Sequence, residues 1–143
     1  MDPLASGQAE LLGTCLVVED DSIIRLDIEE TLRGFGFSCV LGASTLEAAA
    51  DIAATAVIGF AVLDYEIGRC NTVELAEQLR ARGVPLVFLT AHGHGIELPP
   101  SLAGLQVVAK PYSSGILADA LLRTYAATGQ PIARSIPCIS LTG

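Results

Sequence analysis

Positive charge is scarce in this chain. Of its 143 residues, eight are Lys or Arg against sixteen Asp or Glu, for a formal net charge of −8. A nucleic-acid binder needs a cationic footprint to displace counterions from phosphates, and no such footprint is present overall. No uninterrupted apolar run approaches the ~20 residues of a bilayer-spanning helix. Met1 to Glu10 holds no basic stretch followed by an apolar core, so a secretory signal is not expected. The four cysteines, Cys15, Cys39, Cys70 and Cys138, form no C-x-x-C pair. His92 and His94 lie near none of them, which speaks against a zinc site. Cys15 and Cys39 fall inside apolar runs and read as small buried core residues, and a reduced, cytoplasmic protein is the expectation. Neither G-x-x-x-x-G-K-[ST] nor G-x-G-x-x-G occurs. A flavin- or nucleotide-binding enzyme therefore lacks its phosphate-cradling loop.

Apolar residues make up 51% of the chain and charged residues 17%, enough for a packed core and against a disordered chain. The length suits one domain. Along it, short β-rich runs alternate with amphipathic helical stretches. Thr14 to Val18 is a continuous apolar run, as suits a strand buried on both faces of a parallel sheet, and it stops at Glu19-Asp20-Asp21. Ser22 or Asp21 is placed to cap a helix on which Ile24, Ile28 and Leu32 share a face, and Gly34 and Gly36 end it. Ser38 to Leu41 reads as a second strand. Ser44 or Thr45 caps a second helix to about Ala54.

Phe60 to Leu63 is a third strand ending on Asp64, and Gly68 to Asn71 breaks the chain. A third helix spans about Thr72 to Arg82, with Val73, Ala76 and Leu79 on one stripe. Pro85 to Leu89 is a fourth strand ending at Thr90, and Gln106 to Ala109 a fifth ending at Lys110-Pro111. A last helix starts near Ser113 or Ser114, with Leu117, Leu121 and Tyr125 at four-residue steps. Between the fourth and fifth strands, three glycines and Pro99-Pro100 leave room for at most a turn or two of helix. The βαβα alternation predicts a parallel sheet with helices on both faces. Residues 14–127 form this domain, 1–13 an N-terminal extension and 128–143 a C-terminal tail with two prolines and scattered apolar residues.

Ligands of open α/β sheets bind outside the carboxyl ends of the strands. The polar residues there are Glu19 and Asp20, then Asp64, Thr90 and Lys110. Neighbouring carboxylates in a partly desolvated cleft repel, and a divalent cation with oxygen preference, such as Mg²⁺, relieves that cost. A carboxylate beside Mg²⁺ can attack a phosphoryl group, and a lysine and a hydroxyl can hold the charge in transit.

Val17-Val18-Glu19-Asp20-Asp21, Val62-Leu63-Asp64, Phe88-Leu89-Thr90-Ala91 and Val108-Ala109-Lys110-Pro111-Tyr112 occur in this order. The chain resembles, over about Thr14 to Ala127, the receiver domain of bacterial two-component response regulators. The resemblance implies a flavodoxin-like (βα)5 doubly wound parallel sheet of strand order 2-1-3-4-5, here with a short or irregular fourth crossover. It implies Asp64 as phospho-acceptor. Asp20 would bind Mg²⁺ directly, Glu19 through water, and the backbone carbonyl of Glu66 would be a further ligand. Thr90 would be the switch hydroxyl, Lys110 would pair with the phosphoryl group before a cis Pro111, and Tyr112 would be an aromatic of the switch region.

The partners implied are a sensor histidine kinase or phosphotransfer protein and a downstream protein, with a homodimer possible and neither nucleic acid nor membrane engaged. Self-phosphorylation and self-dephosphorylation would be the only chemistry. The departures lie after the acceptor. Ile67 fills an apolar position, but Gly68 stands where the family often has proline, followed by Arg69-Cys70-Asn71. Together with the segment from Pro85 to Gly93, they resemble single-domain and kinase-fused receivers of alphaproteobacteria. About fifteen residues follow the last helix, too few for a helix-turn-helix output unit. A pseudo-receiver that never takes phosphate is the alternative. The segment from Ala91 to Leu105 is expected to be mostly irregular and to reorganise on phosphorylation.

Overall fold

The computed structural model describes residues 13–91, 98–110 and 113–128. The expectations for Pro111, Tyr112, residues 92–97, most of the N-terminal extension and nearly all of the C-terminal tail lie outside the described residues.

Five strands make the main sheet: β1 (Thr14–Val18), β2 (Cys39–Ala43), β3 (Phe60–Asp64), β6 (Leu86–Thr90) and β7 (Gln106–Ala109). Every pairing between them is parallel, and the spatial order is β2-β1-β3-β6-β7. Counting only these strands, that is the expected 2-1-3-4-5 order. The helices are α1 (Ser22–Phe35), α2 (Leu46–Thr55), α3 (Val73–Ala81) and α4 (Ser114–Thr128).

Alternation along the central strands sorts their side chains into two buried layers. Leu16, Ala61, Leu63 and Phe88 face one way and pack with Ala49 and Ala53 of α2 and Leu75 and Leu79 of α3. Cys15, Val17, Val62 and Leu89 face the other way, against Ile28 and Leu32 of α1 and Leu117 and Leu121 of α4. Tyr125 closes that second layer on Phe60, with ring centroids 5.2 Å apart. Helices therefore cover both faces, and all five residues of β3 are buried.

Several details resolve or differ from the sequence reading. The cap of α1 is Asp21, not Ser22: its Oδ1 accepts from the N–H groups of Ile23 and Ile24 at 2.9 and 3.1 Å. A carboxylate there meets two orphan donors and the positive end of the helix at once. Cys15 is buried as expected, but Cys39 is exposed. It opens β2, an edge strand with two exposed, two half-buried and one buried residue, so an apolar run did not mean burial there. The break after Asp64 is an antiparallel hairpin, β4 (Glu66–Ile67) with β5 (Cys70–Asn71), turning through Gly68 at φ +62°.

In the fourth crossover, the described residues hold a single 3₁₀ turn, Pro100–Leu102, with Pro99 before it. It is anchored rather than loose. Leu102 is buried, the Ser101 hydroxyl donates to Glu77 at 2.7 Å, and Arg80 donates to the Ala103 carbonyl at 3.0 Å.

Phe88 is buried in the α2–α3 layer and meets the Tyr65 ring edge-on at 5.9 Å. Replacing it with Ala is expected to cost about 3–5 kcal/mol, because the strands around it cannot collapse into the gap. Urea unfolding should show a lower midpoint at an unchanged slope.

Candidate functional site

Parallel strands bring their carboxyl ends to one rim, and the ends of β1, β3, β6 and β7 are adjacent there. Glu19 and Asp20 follow β1, Asp64 ends β3, Thr90 ends β6 and Lys110 follows β7. Lys110, the chain's single lysine, sits between two carboxylates. Its Nζ donates to Glu19 Oε1 at 2.7 Å and to Asp64 Oδ2 at 3.0 Å. Glu19 is 1% exposed and Asp64 5%, so both carboxylates have lost most of their water. The Lys110 N–H also donates to the Thr90 carbonyl at 2.8 Å, tying the last two strand ends together beyond their ladder.

Asp20 is different: it is exposed, and its Oδ2 accepts from the Gly68 N–H at 3.2 Å. Glu19, Asp20 and Asp64 each offer a carboxylate oxygen, and these lie within 4.8 Å of one another. An all-oxygen, doubly buried and singly exposed set fits Mg²⁺, which takes one or two carboxylates and keeps several waters. Thr90 is buried beside the acceptor, one residue beyond the Asp64–Leu89 register pair. Glu66 opens β4 two residues after Asp64 with its side chain exposed.

The electrostatics of the cluster oppose one another. Burial pushes the Glu19 carboxyl up, and the Asp64 charge adds to this; hydrogen bonds from Lys110 and the Asp21 N–H pull it down without fully offsetting burial. On Lys110, burial pulls the ammonium down, but the hydrogen bonds and charges of Glu19 and Asp64 outweigh it and the net direction is up. One direction favours a proton on the carboxyl, the other on the amine. Two carboxylates act on one ammonium at 2.7 and 3.0 Å, so we hold to the Lys110 direction: the amine is protonated at neutral pH and the pair is charged.

Three supporting contacts carried no clear signal in the sequence. The Thr72 hydroxyl donates to the Asp64 carbonyl at 2.8 Å, although Thr72 was legible only as the start of a helix. Arg25 donates to the Glu19 carbonyl at 3.1 Å from one turn into α1. The Gly68 N–H reaches Asp20 because the hairpin folds back over the rim; the glycine itself was the only hint.

A lysine whose folded pKa lies above its free value near 10.5 contributes stability that is complete below that pH and lost as pH rises through the folded value. Stability should therefore fall as pH rises above about 10.5. In Lys110→Met, thermal unfolding across this range should show a shallower decline. At pH 7 the variant should be less stable by roughly 3 kcal/mol, the low end for breaking a buried pair.

Comparison with known proteins agrees with the geometry. The model of the response regulator receiver domain matches residues 15–121. The chain is 25% identical over 122 residues to the transcriptional regulatory protein PdtaR of Mycobacterium tuberculosis, covering 83% of this chain and 60% of that protein. It thus spans about three fifths of that relative's length. It is 29% identical over 113 residues to the chemotaxis protein CheY1 of Helicobacter pylori, covering 74% of this chain and 91% of that one. Among solved structures, SdrG from Sphingomonas melonis Fr1 superposes with a TM-score of 0.65 at 27% identity, over 82% of this chain and 96% of SdrG. Vibrio cholerae CheY4 shares the fold at a TM-score of 0.64 and 21% identity, over 81% of this chain and 99% of that one. With these matches, and with the carboxylates and the lysine gathered at one rim, the chain belongs to the response regulator receiver domain family.

Proposed function

We propose that this receiver takes a phosphoryl group onto Asp64 from a phosphohistidine of a sensor kinase or phosphotransfer protein, and signals by protein–protein contact. The observation that carries this reading is the Lys110 ammonium bridging the two buried carboxylates, 2.7 Å from Glu19 and 3.0 Å from Asp64. It sets Asp64, a candidate nucleophile at the end of a fully buried strand, against a cation that can take up phosphoryl charge.

In the transfer, an Asp64 carboxylate oxygen forms a bond to phosphorus while the phosphorus–nitrogen bond of the donor breaks. The imidazole leaves with the electron pair of that bond and takes a proton from solvent. Lys110 shifts its hydrogen bond from the carboxylate to the phosphoryl oxygens, and Thr90, buried at the neighbouring strand end, would supply a hydroxyl donor. Glu19, Asp20 and Asp64, with the backbone carbonyl of Glu66, would hold Mg²⁺, which neutralises phosphoryl charge when bound. Glu19 is committed to Lys110 and to the Asp21 N–H, which favours its acting through water.

No substrate is turned over in this scheme; the chemistry ends on the protein itself. No described helix is long and apolar enough to cross a membrane, and a cytoplasmic site of action is part of the proposal. The output partner is a protein, and a homodimer is one form it can take. The segment around the 3₁₀ turn would have to release its Glu77 and Arg80 contacts to take part in a switch.

Incubation with acetyl phosphate and Mg²⁺ should add one phosphoryl group by intact mass, removable by hydroxylamine. Asp64→Asn should add none; a hydroxylamine-sensitive phosphate on that variant would overturn the assignment. No adduct on the natural chain would favour the pseudo-receiver reading instead.

Asp20→Ala should abolish Mg²⁺-dependent phosphorylation. With one of three repelling carboxylates gone, it should unfold at the same or a slightly higher temperature without metal. Unchanged Mg²⁺ affinity in that variant would remove Asp20 from the metal site.

A further inference from the structure

Thr72 is fully buried at the N-terminal boundary of α3. A threonine there ordinarily spends its hydroxyl on a helix N–H. This one makes no such bond. The neighbouring Asn71 Oδ1 accepts from the Val73 N–H at 3.0 Å and serves the helix instead. The Thr72 hydroxyl turns away from α3 and donates to the carbonyl oxygen of Asp64 at 2.8 Å. The Thr72 N–H donates to the next carbonyl, that of Tyr65, at 3.0 Å. One residue thus holds two consecutive carbonyls at the end of β3, across the base of the hairpin.

We infer that Thr72 is a positioning residue for Asp64: its hydroxyl fixes the Asp64 peptide and so aims the carboxylate at Lys110 and the acidic pair. The inference rests on the phosphoryl-acceptor reading and names a determinant of it. At Asp64 the strand ends and the chain departs into a hairpin turning on a glycine. The carboxylate hangs two bonds from that backbone, so a small tilt of the peptide moves its oxygens relative to Lys110 Nζ. Attack on phosphorus tolerates little such error, since the reacting atoms must meet nearly in line. The Tyr65 N–H donates to the Leu89 carbonyl at 2.7 Å and the Tyr65 ring packs on Phe88, so the next residue is held as well. A threonine retained only for helix capping would have no reason to leave its cap to Asn71.

The test compares Thr72→Val, which keeps the shape and removes the donor, with Thr72→Ser, which keeps the donor and loses a methyl group. Two measurements are made on folded protein: the rate of phosphorylation by acetyl phosphate as donor concentration varies, and Mg²⁺ affinity from NMR titration. Thr72→Val should lower the maximal rate roughly tenfold with little change in half-saturating donor, and weaken Mg²⁺ binding, while Thr72→Ser stays within about twofold of the natural chain. Thr72→Val equal to the natural chain in both readouts, whatever its unfolding temperature, would reduce Thr72 to a packing role. Thr72→Ser as impaired as Thr72→Val would assign the effect to shape and overturn the inference. If the natural chain takes no phosphoryl group, Mg²⁺ affinity alone decides. A loss in Thr72→Val then upholds the positioning role while the acceptor reading falls, and no loss rejects both.

Discussion

Two carboxylates buried side by side need a cation, and here one ammonium supplies it. Glu19 and Asp64 have almost no exposed surface, and burial pushes the Glu19 carboxyl towards its neutral form. Lys110 reaches both, and the fold is arranged around that reach. It comes from the far side of the sheet order, two strands beyond Asp64 and three beyond Glu19. The contact therefore spans strands that are distant in sequence, |i−j| of 46 and 91, and exists only when the whole sheet has assembled. A pair this buried is poor evidence for stability, since well-packed apolar residues would serve as well or better. Its presence at a ligand-binding rim is better explained by chemistry than by stability.

The rest of the site is a division of labour among three consecutive acids. Asp21 caps α1, Asp20 faces solvent and the Gly68 N–H, and Glu19 turns inward to Lys110. Alternation carries β1 side chains to opposite layers, and the chain leaves the sheet just after Val18, so Glu19, Asp20 and Asp21 face core, solvent and helix in turn. The arrangement is rigid where it must be. Arg25 holds the Glu19 carbonyl and Thr72 the Asp64 carbonyl, so the backbone behind both buried carboxylates is held by side chains from the following helices. The exposed member, Asp20, is the one through which a hydrated cation would enter.

Much of this was legible in the chain itself. Continuous apolar runs ending in Glu19, Asp64 and Thr90 suit buried parallel strands, because such runs have no polar face to give to water, and the shorter run before Lys110 became an edge strand. The helical stripes of α1 and α4 were visible as Ile28, Leu32, Leu117, Leu121 and Tyr125, all of them buried. Local chemistry thus determined the element order, the two core faces and which polar residues end the strands at one rim.

What the sequence could not determine was anything set by position across the sheet. Cys39 lies in an apolar run like Cys15 yet is exposed, because only strand order decides which strand becomes an edge. Asp21 and Ser22 are both able to cap a helix, and the choice went to the one whose carboxylate reached two N–H groups. Gly68 to Asn71 looked like a simple break; it became a hairpin whose turn delivers an N–H to Asp20. The hydroxyl of Thr72 left its helix for the acceptor's carbonyl because Asn71 could serve α3 in its place. Each of these is a competition between partners equally available in one dimension, and only the packed sheet, by fixing distances and removing water, selects among them.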